Sequence, residues 1–181
     1  MFSANRTRAR IALSWLASRN DSPAIDGFES VLGLCPELLE RYRGFYGAIW
    51  DEGVLPARLL ELCRLRIARL NRCEAESAIA HSESGLTIAE RSSLSRGDIP
   101  DSMTDLERRV LAVASKVPFE IHDVGDDEIE ALCLGLGDDG LVALMLALPL
   151  FDASCRLRLV LEVAPEARNV DPPASRTGTL Y

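Results

Sequence analysis

The sequence predicts an all-α fold, a helical bundle, and three observations carry that prediction. Apolar residues recur at three- and four-residue spacing over most of the chain, no stretch sustains the alternation of a half-buried strand, and helix caps stand where the periodic segments begin. A length of 181 residues with 48% apolar content suits one compact core. That core is expected over residues 30–163. An N-terminal helix and turn (1–29) precede it, and a C-terminal tail (164–181) with little to bury follows, flexible or docked on a partner subunit.

The first helix is expected at about residues 7–19, within the basic, amphipathic "MFSANRTRARIALSWLASRN", whose apolar stretch is too short and broken for a secretory signal. The turn "NDSPAIDG" follows it. A second helix runs from Pro36 to about Asp51, with proline at the first helical position and Gly53 past the end. The third begins near Pro56 and carries Leu59, Leu60, Leu62, Cys63, Ile67 and Leu70, with Asn71 breaking or kinking it just before Cys73. The next is expected at about 72–84, stopped by Gly85, the residue type that most readily takes the left-handed cap conformation. Thr87 with Glu90, and Thr104 with Glu107, have capping-box spacing: the threonine accepts from a backbone amide three residues on, and the glutamate returns to the threonine's own amide. They start a short helix to about Leu94 and the helix "DLERRVLAVASKV". Asp126–Leu136 makes another, and "DDGLVALMLALPLFDASCRLRLVLEV" makes one long helix or two joined at Pro149.

Composition narrows the function. A net charge of −8 argues against nucleic acid as a partner, because affinity for phosphate comes from lysine and arginine; the Arg6, Arg8, Arg10 cluster reads as a solvated helix face. The longest apolar run, Leu141–Phe151, is half a bilayer span and contains a proline, so no membrane role is expected. Cys35, Cys63, Cys73, Cys133 and Cys155 are odd in number with no CxxC pair, the pattern of reduced thiols in a cytoplasmic protein. Cys63, Cys133 and Cys155 fall in apolar helical patterns and read as packing residues, while Cys35, before Pro36, has no assigned role. Two distant histidines give no metal-ligand spacing, and no glycine-rich phosphate loop follows a strand, so neither metal nor cofactor is expected.

The chemistry concentrates in "LNRCEAESAIAHSESG", residues 70–85. On a helix, Cys73 and Glu76 share a face at i,i+3, and Glu74, Ser77 and His81 share an adjacent one. Glu61 lies on the preceding helix, within an apolar stripe. By spacing alone it points to solvent and pairs with Arg58 or Arg64; pointing inward it would be unusual. His81 alone reads as a surface or capping histidine, and His122 as a loop residue without a role.

Taken in order, "LPARLLELCRLRIARLNRCEAE", "LERRVLAVASKV" and the last long apolar segment resemble the alkylhydroperoxidase D and carboxymuconolactone decarboxylase family over about residues 30–163. The family's usual form is a helix with an internal glutamate, then "R.A.LN.C..C", often with a histidine four residues after the second cysteine. The resemblance implies an all-helical homo-oligomer acting on a small-molecule substrate, with a thiol reductant in the peroxidase members. It places Glu61 at a proton-relay glutamate, Cys73 at the first cysteine, Glu76 at the second, and His81 one place beyond the histidine; Arg156 matches an arginine of the last helix. In the two-cysteine mechanism the second thiolate attacks and the first resolves, so Glu76 stands where the nucleophile is expected. Repulsion from Glu76, and from Glu61 if near, is expected to raise the Cys73 pKa unless Arg69 or Arg72 offsets it. Three readings follow: a thiol-dependent peroxidase of antioxidant type centred on Cys73, a cofactor-free decarboxylase or isomerase using Glu61, Glu76 and His81, and a non-catalytic oligomeric binding scaffold.

Overall fold

Leu60, Leu62, Cys63, Ile67 and Ala68 are all fully buried on one helix, Ala57–Asn71, and at 100° per residue they point in every direction. This helix is therefore the axis on which the other elements pack. In the computed structural model, which describes residues 27–51, 53–161 and 168–170, the order is α1 (Gly27–Leu32), α2 (Pro36–Asp51), α3 (Ala57–Asn71), α4 (Glu74–Ser77), β1 (Ile79–His81), α5 (Ile88–Arg96), α6 (Asp105–Lys116), α7 (Asp126–Val160) and β2 (Arg168–Val170). Short 3-10 turns lie at Ser82–Ser84 and Ile121–Asp123. The helix expected at 7–19 and most of the tail lie outside the described residues.

The all-α class holds, and α3 packs against α4, α5, α6 and α7. Both capping boxes form: Thr87 accepts from the Glu90 amide at 3.2 Å and Thr104 from the Glu107 amide at 3.2 Å, each glutamate returning to the threonine amide. The two cap glutamates also converge on Arg58 at the start of α3, at 2.6 Å each, so one guanidinium ties the first turns of α5 and α6 to the central helix. On α2, Tyr42, Tyr46 and Trp50 fall at i, i+4 and i+8 and form an aromatic face; Tyr46 meets Phe151 of α7 edge-on at 6.1 Å.

One expectation is corrected. The helix at 72–84 is not continuous: α3 closes with Arg72 in the left-handed conformation (φ 56°), α4 is a single turn, and the chain then extends through β1. The reason lies in α3, where the buried Arg64 takes the carbonyl oxygens of Glu76 and Ile79 at 2.5 and 2.8 Å, acceptors that a continuing helix would have used internally. Of the tail, the described residues 168–170 form β2, which pairs with β1 in parallel, Ile79 opposite Arg168 and His81 opposite Val170. The expected division between Asp126–Leu136 and the apolar segment after it holds: α7 breaks at Gly137, whose φ 75° and ψ 172° are open to glycine but strained for any other residue, and of the two alternatives for the later segment it takes the single helix, running through Pro149.

A Cβ added at Gly137 would meet nothing within 4 Å, so any cost of Gly137→Ala comes from the backbone alone. Urea unfolding of this variant should show a loss of about 1–3 kcal/mol. An unchanged midpoint would mean that the break is not a constrained feature of the fold.

Candidate active site

Arg64 is completely buried in the middle of α3 and its guanidinium has five N–H donors. Five hydrogen bonds meet them: Nε to Glu61 Oε2 at 2.8 Å, Nη2 to Glu61 Oε1 at 3.0 Å and to the Ile79 carbonyl, and Nη1 to Glu76 Oε2 at 2.8 Å and to the Glu76 carbonyl. Glu61 is therefore not on the solvent side, as spacing suggested. It is fully buried, yet it does pair with Arg64 at i+3, one of the two partners its spacing offered. Arg91 of α5 closes the other side of Glu61 and also binds the Ile79 carbonyl.

Glu76 accepts a second guanidinium, Arg158 Nε of α7, at 2.7 Å, and Arg158 lies under the Phe28 ring, 4.1 Å from its centroid. Two carboxylates thus face three guanidiniums, which leaves the cluster one positive charge in excess. Cys73, immediately before α4, sits beside it with 1% exposure, and its thiol neighbours that of Cys155 of α7.

The neighbouring Cys155 thiol lowers the Cys73 pKa, outweighing burial; the backbone amide of Glu76 and the charge of Arg158 act in the same direction. The repulsion expected from Glu76 is present but does not dominate. Its offset comes from Arg158 rather than from Arg69 or Arg72, which line a surface depression of about 290 Å³ with Ala68, Glu74, Ser77 and Ser95. Cys155 keeps its proton: the neighbouring Cys73 and burial both push its pKa up. Burial alone would raise Glu61, but Arg64 and Arg91 bring it down to about 2.

The structure brings Glu61, Cys73 and Glu76 together around Arg64. His81 joins through its backbone, whose N–H points at Glu61 Oε1 at 3.4 Å, while its ring stacks on Trp50 at 3.8 Å and 7°. His122 is exposed. Arg156, the expected arginine of the last helix, is half exposed and binds Asp152 and the Pro118 carbonyl; two residues on, Arg158 enters the site instead. Arg91, Arg158 and Cys155 were not anticipated as site residues. One signal pointed to two of them: Cys155 and Arg158 repeat the i,i+3 spacing of Cys73 and Glu76.

Residues 36–116 match the carboxymuconolactone decarboxylase family. Over this stretch the chain is similar to that family. Comparison with curated proteins gives no match. Among solved structures the chain is similar to a protein of unknown function from Agrobacterium tumefaciens that carries a provisional designation as an antioxidant defence protein, AhpD. The TM-score is 0.63 at 19% identity, covering 76% of this chain and 97% of that one, a likeness of fold. The two matches agree on an all-helical alkylhydroperoxidase-like architecture.

Burial first, then Arg64 and Arg91, lower the His81 pKa from 6.5 to about 3 against the pull of Glu61. The unfolded chain then binds a proton at His81 that the folded one refuses, so this part of the stability is present above about pH 6.5 and is lost as pH falls toward 3. Glu61 adds a loss in the same direction only below about 4.5. Urea midpoints measured from pH 7 to 5 should decline, and His81→Gln should flatten that limb. An equally steep decline in the variant would place the proton uptake elsewhere.

Proposed function

We propose that this chain is a thiol-dependent peroxidase of antioxidant type, in which Cys73 reduces hydroperoxides. The observation that supports the reading is the environment of that thiol: the neighbouring Cys155, which keeps its proton, and arginines that more than balance the nearby carboxylates both favour the thiolate, which is the nucleophilic form. The thiolate attacks one peroxide oxygen, the O–O bond breaks, the alkoxide leaves and takes a proton to become an alcohol, and Cys73 is left as a sulfenic acid. A thiol reductant, the partner suggested by the family resemblance, returns Cys73 to the thiol. Since Cys73 is 1% exposed, a peroxide reaches it by local opening of the one-turn α4, whose outer residues Glu74 and Ser77 border the surface depression.

The same geometry weighs against acid/base work by the carboxylates. A general base is most effective with a pKa near the operating pH, and Glu61, held at about 2 by two arginines, is far below it. His81, at about 3, is neutral at pH 7 and has no proton to give as an acid. Exposed Leu134, Val142, Leu146, Leu157 and Val160 along α7 support a homo-oligomer, and the reduced thiols support a cytoplasmic setting.

Cys73→Ser should reduce hydroperoxide consumption by the reduced protein to the uncatalysed background, followed colorimetrically, with an unchanged helical circular dichroism spectrum. Undiminished consumption in the variant would overturn the peroxidase reading and return the site to scaffold or acid/base roles.

A further inference from the structure

We propose that Cys155 is the resolving cysteine of this site, so that a disulfide between α4 and α7 does the work of the CxxC pair the sequence lacks. The inference rests on the peroxidase reading above and adds to it the fate of the sulfenic acid.

Three contacts in register set the two thiols against each other. Asn71 Nδ2 donates to Asp152 Oδ1 at 2.8 Å, and Arg158 Nε donates to Glu76 Oε1 at 2.7 Å. Cys73 falls between Asn71 and Glu76, and Cys155 between Asp152 and Arg158, three residues from each and hence on the same face of α7. The outer rungs therefore hold the middle one, the facing Cys73 and Cys155 thiols, in place. Glu76 stands where the family resemblance expects the second cysteine, and it is the residue that clamps Arg158. The substitution that removes the sequence-adjacent thiol also fixes the helix that carries another.

The other cysteines are placed elsewhere. Cys63 is buried within α3, Cys35 is exposed, and Cys133 bonds to Asp138 Oδ1 at 3.1 Å.

In the resolving step the Cys155 sulfur attacks the Cys73 sulfenic sulfur, an S–S bond forms and the S–O bond breaks. The departing hydroxide takes the Cys155 proton and leaves as water. Over both steps two thiols and one hydroperoxide become one disulfide, one alcohol and one water. The two thiols supply two electrons and the O–O bond accepts them. The first motif position, the resolving one in the family's two-cysteine scheme, becomes the attacking one here.

The test uses the full-length protein, reduced and desalted, then treated with one equivalent of cumene hydroperoxide. Remaining thiols are alkylated and the protein is mapped by mass spectrometry without reduction. The expected result is a peptide pair joined through Cys73 and Cys155 and the loss of two alkylatable thiols per chain. In Cys155→Ser, or in Cys155→Ala if the first folds poorly, the equivalent should still be consumed, with the Cys73 sulfenic acid captured by dimedone. A wild-type protein that keeps Cys155 free while Cys73 persists as a sulfenic acid, or that joins Cys73 to any other cysteine, overturns the resolving role and leaves the peroxidase reading standing. A wild-type protein with all its thiols unreacted and the peroxide unconsumed overturns both.

Discussion

A guanidinium with no access to water organises this protein. Isolating a charge like that of Arg64 in a core carries a penalty of several kcal/mol, and it is tolerated only when the charge is paired and every donor is met. Both conditions hold, and meeting them shapes the surroundings. Glu61 must turn inward on the same helix. The carbonyls of Glu76 and Ile79 must leave the helical pattern, which cuts α4 to one turn and releases the chain into β1. Removing one partner from such an arrangement typically costs about 3–5 kcal/mol, because the remaining charge is left buried without a counterpart. The cluster is thus a structural commitment of the fold, and the thiol beside it inherits its electrostatics.

The inheritance explains why Cys73, with a glutamate rather than a cysteine three residues on, is still surrounded by groups suited to thiol chemistry. A carboxylate at position 76 next to a bare thiol would suppress the thiolate. Here Glu76 is clamped between Arg64 and Arg158, so its charge is spent on holding α4 to α3 and α7. The excess positive charge of the cluster and the proton of Cys155 then act on the sulfur. The carboxylates, which the sequence presents as candidate acids and bases, serve as counterions, and the His81 ring packs on Trp50 while its backbone caps Glu61.

How much of this was legible in the sequence depends on whether the information is local. The helix starts at Pro36, Thr87 and Thr104 were, because a cap is decided within four residues. The end of α3 at Asn71 was legible too. The break-up of residues 72–84 was not: every residue there is compatible with a helix, and the competitor is an arginine one helix earlier. Glu61 was misplaced for a related reason. Surface spacing and a buried ion pair produce the same i,i+3 pattern, and only the packing around α3 separates them. The contact of Cys73 with Cys155 is non-local, so a cysteine in an apolar stripe was read as packing. The break at Gly137, between Leu136 and Asp138, was legible, whereas the run of the helix through Pro149 was one of two alternatives that local rules left open.

The account turns on the ionisation of one sulfur. The most direct measurement is the rate of Cys73 alkylation against pH, read by mass spectrometry with Cys63 and Cys155, both pushed upward by their surroundings, as internal references. The structure predicts a Cys73 midpoint below the free-thiol value of about 8.5, with the two references unlabelled across the same range. A midpoint at or above that value would contradict the account, because the charge cluster and Cys155 would then not be lowering the Cys73 pKa.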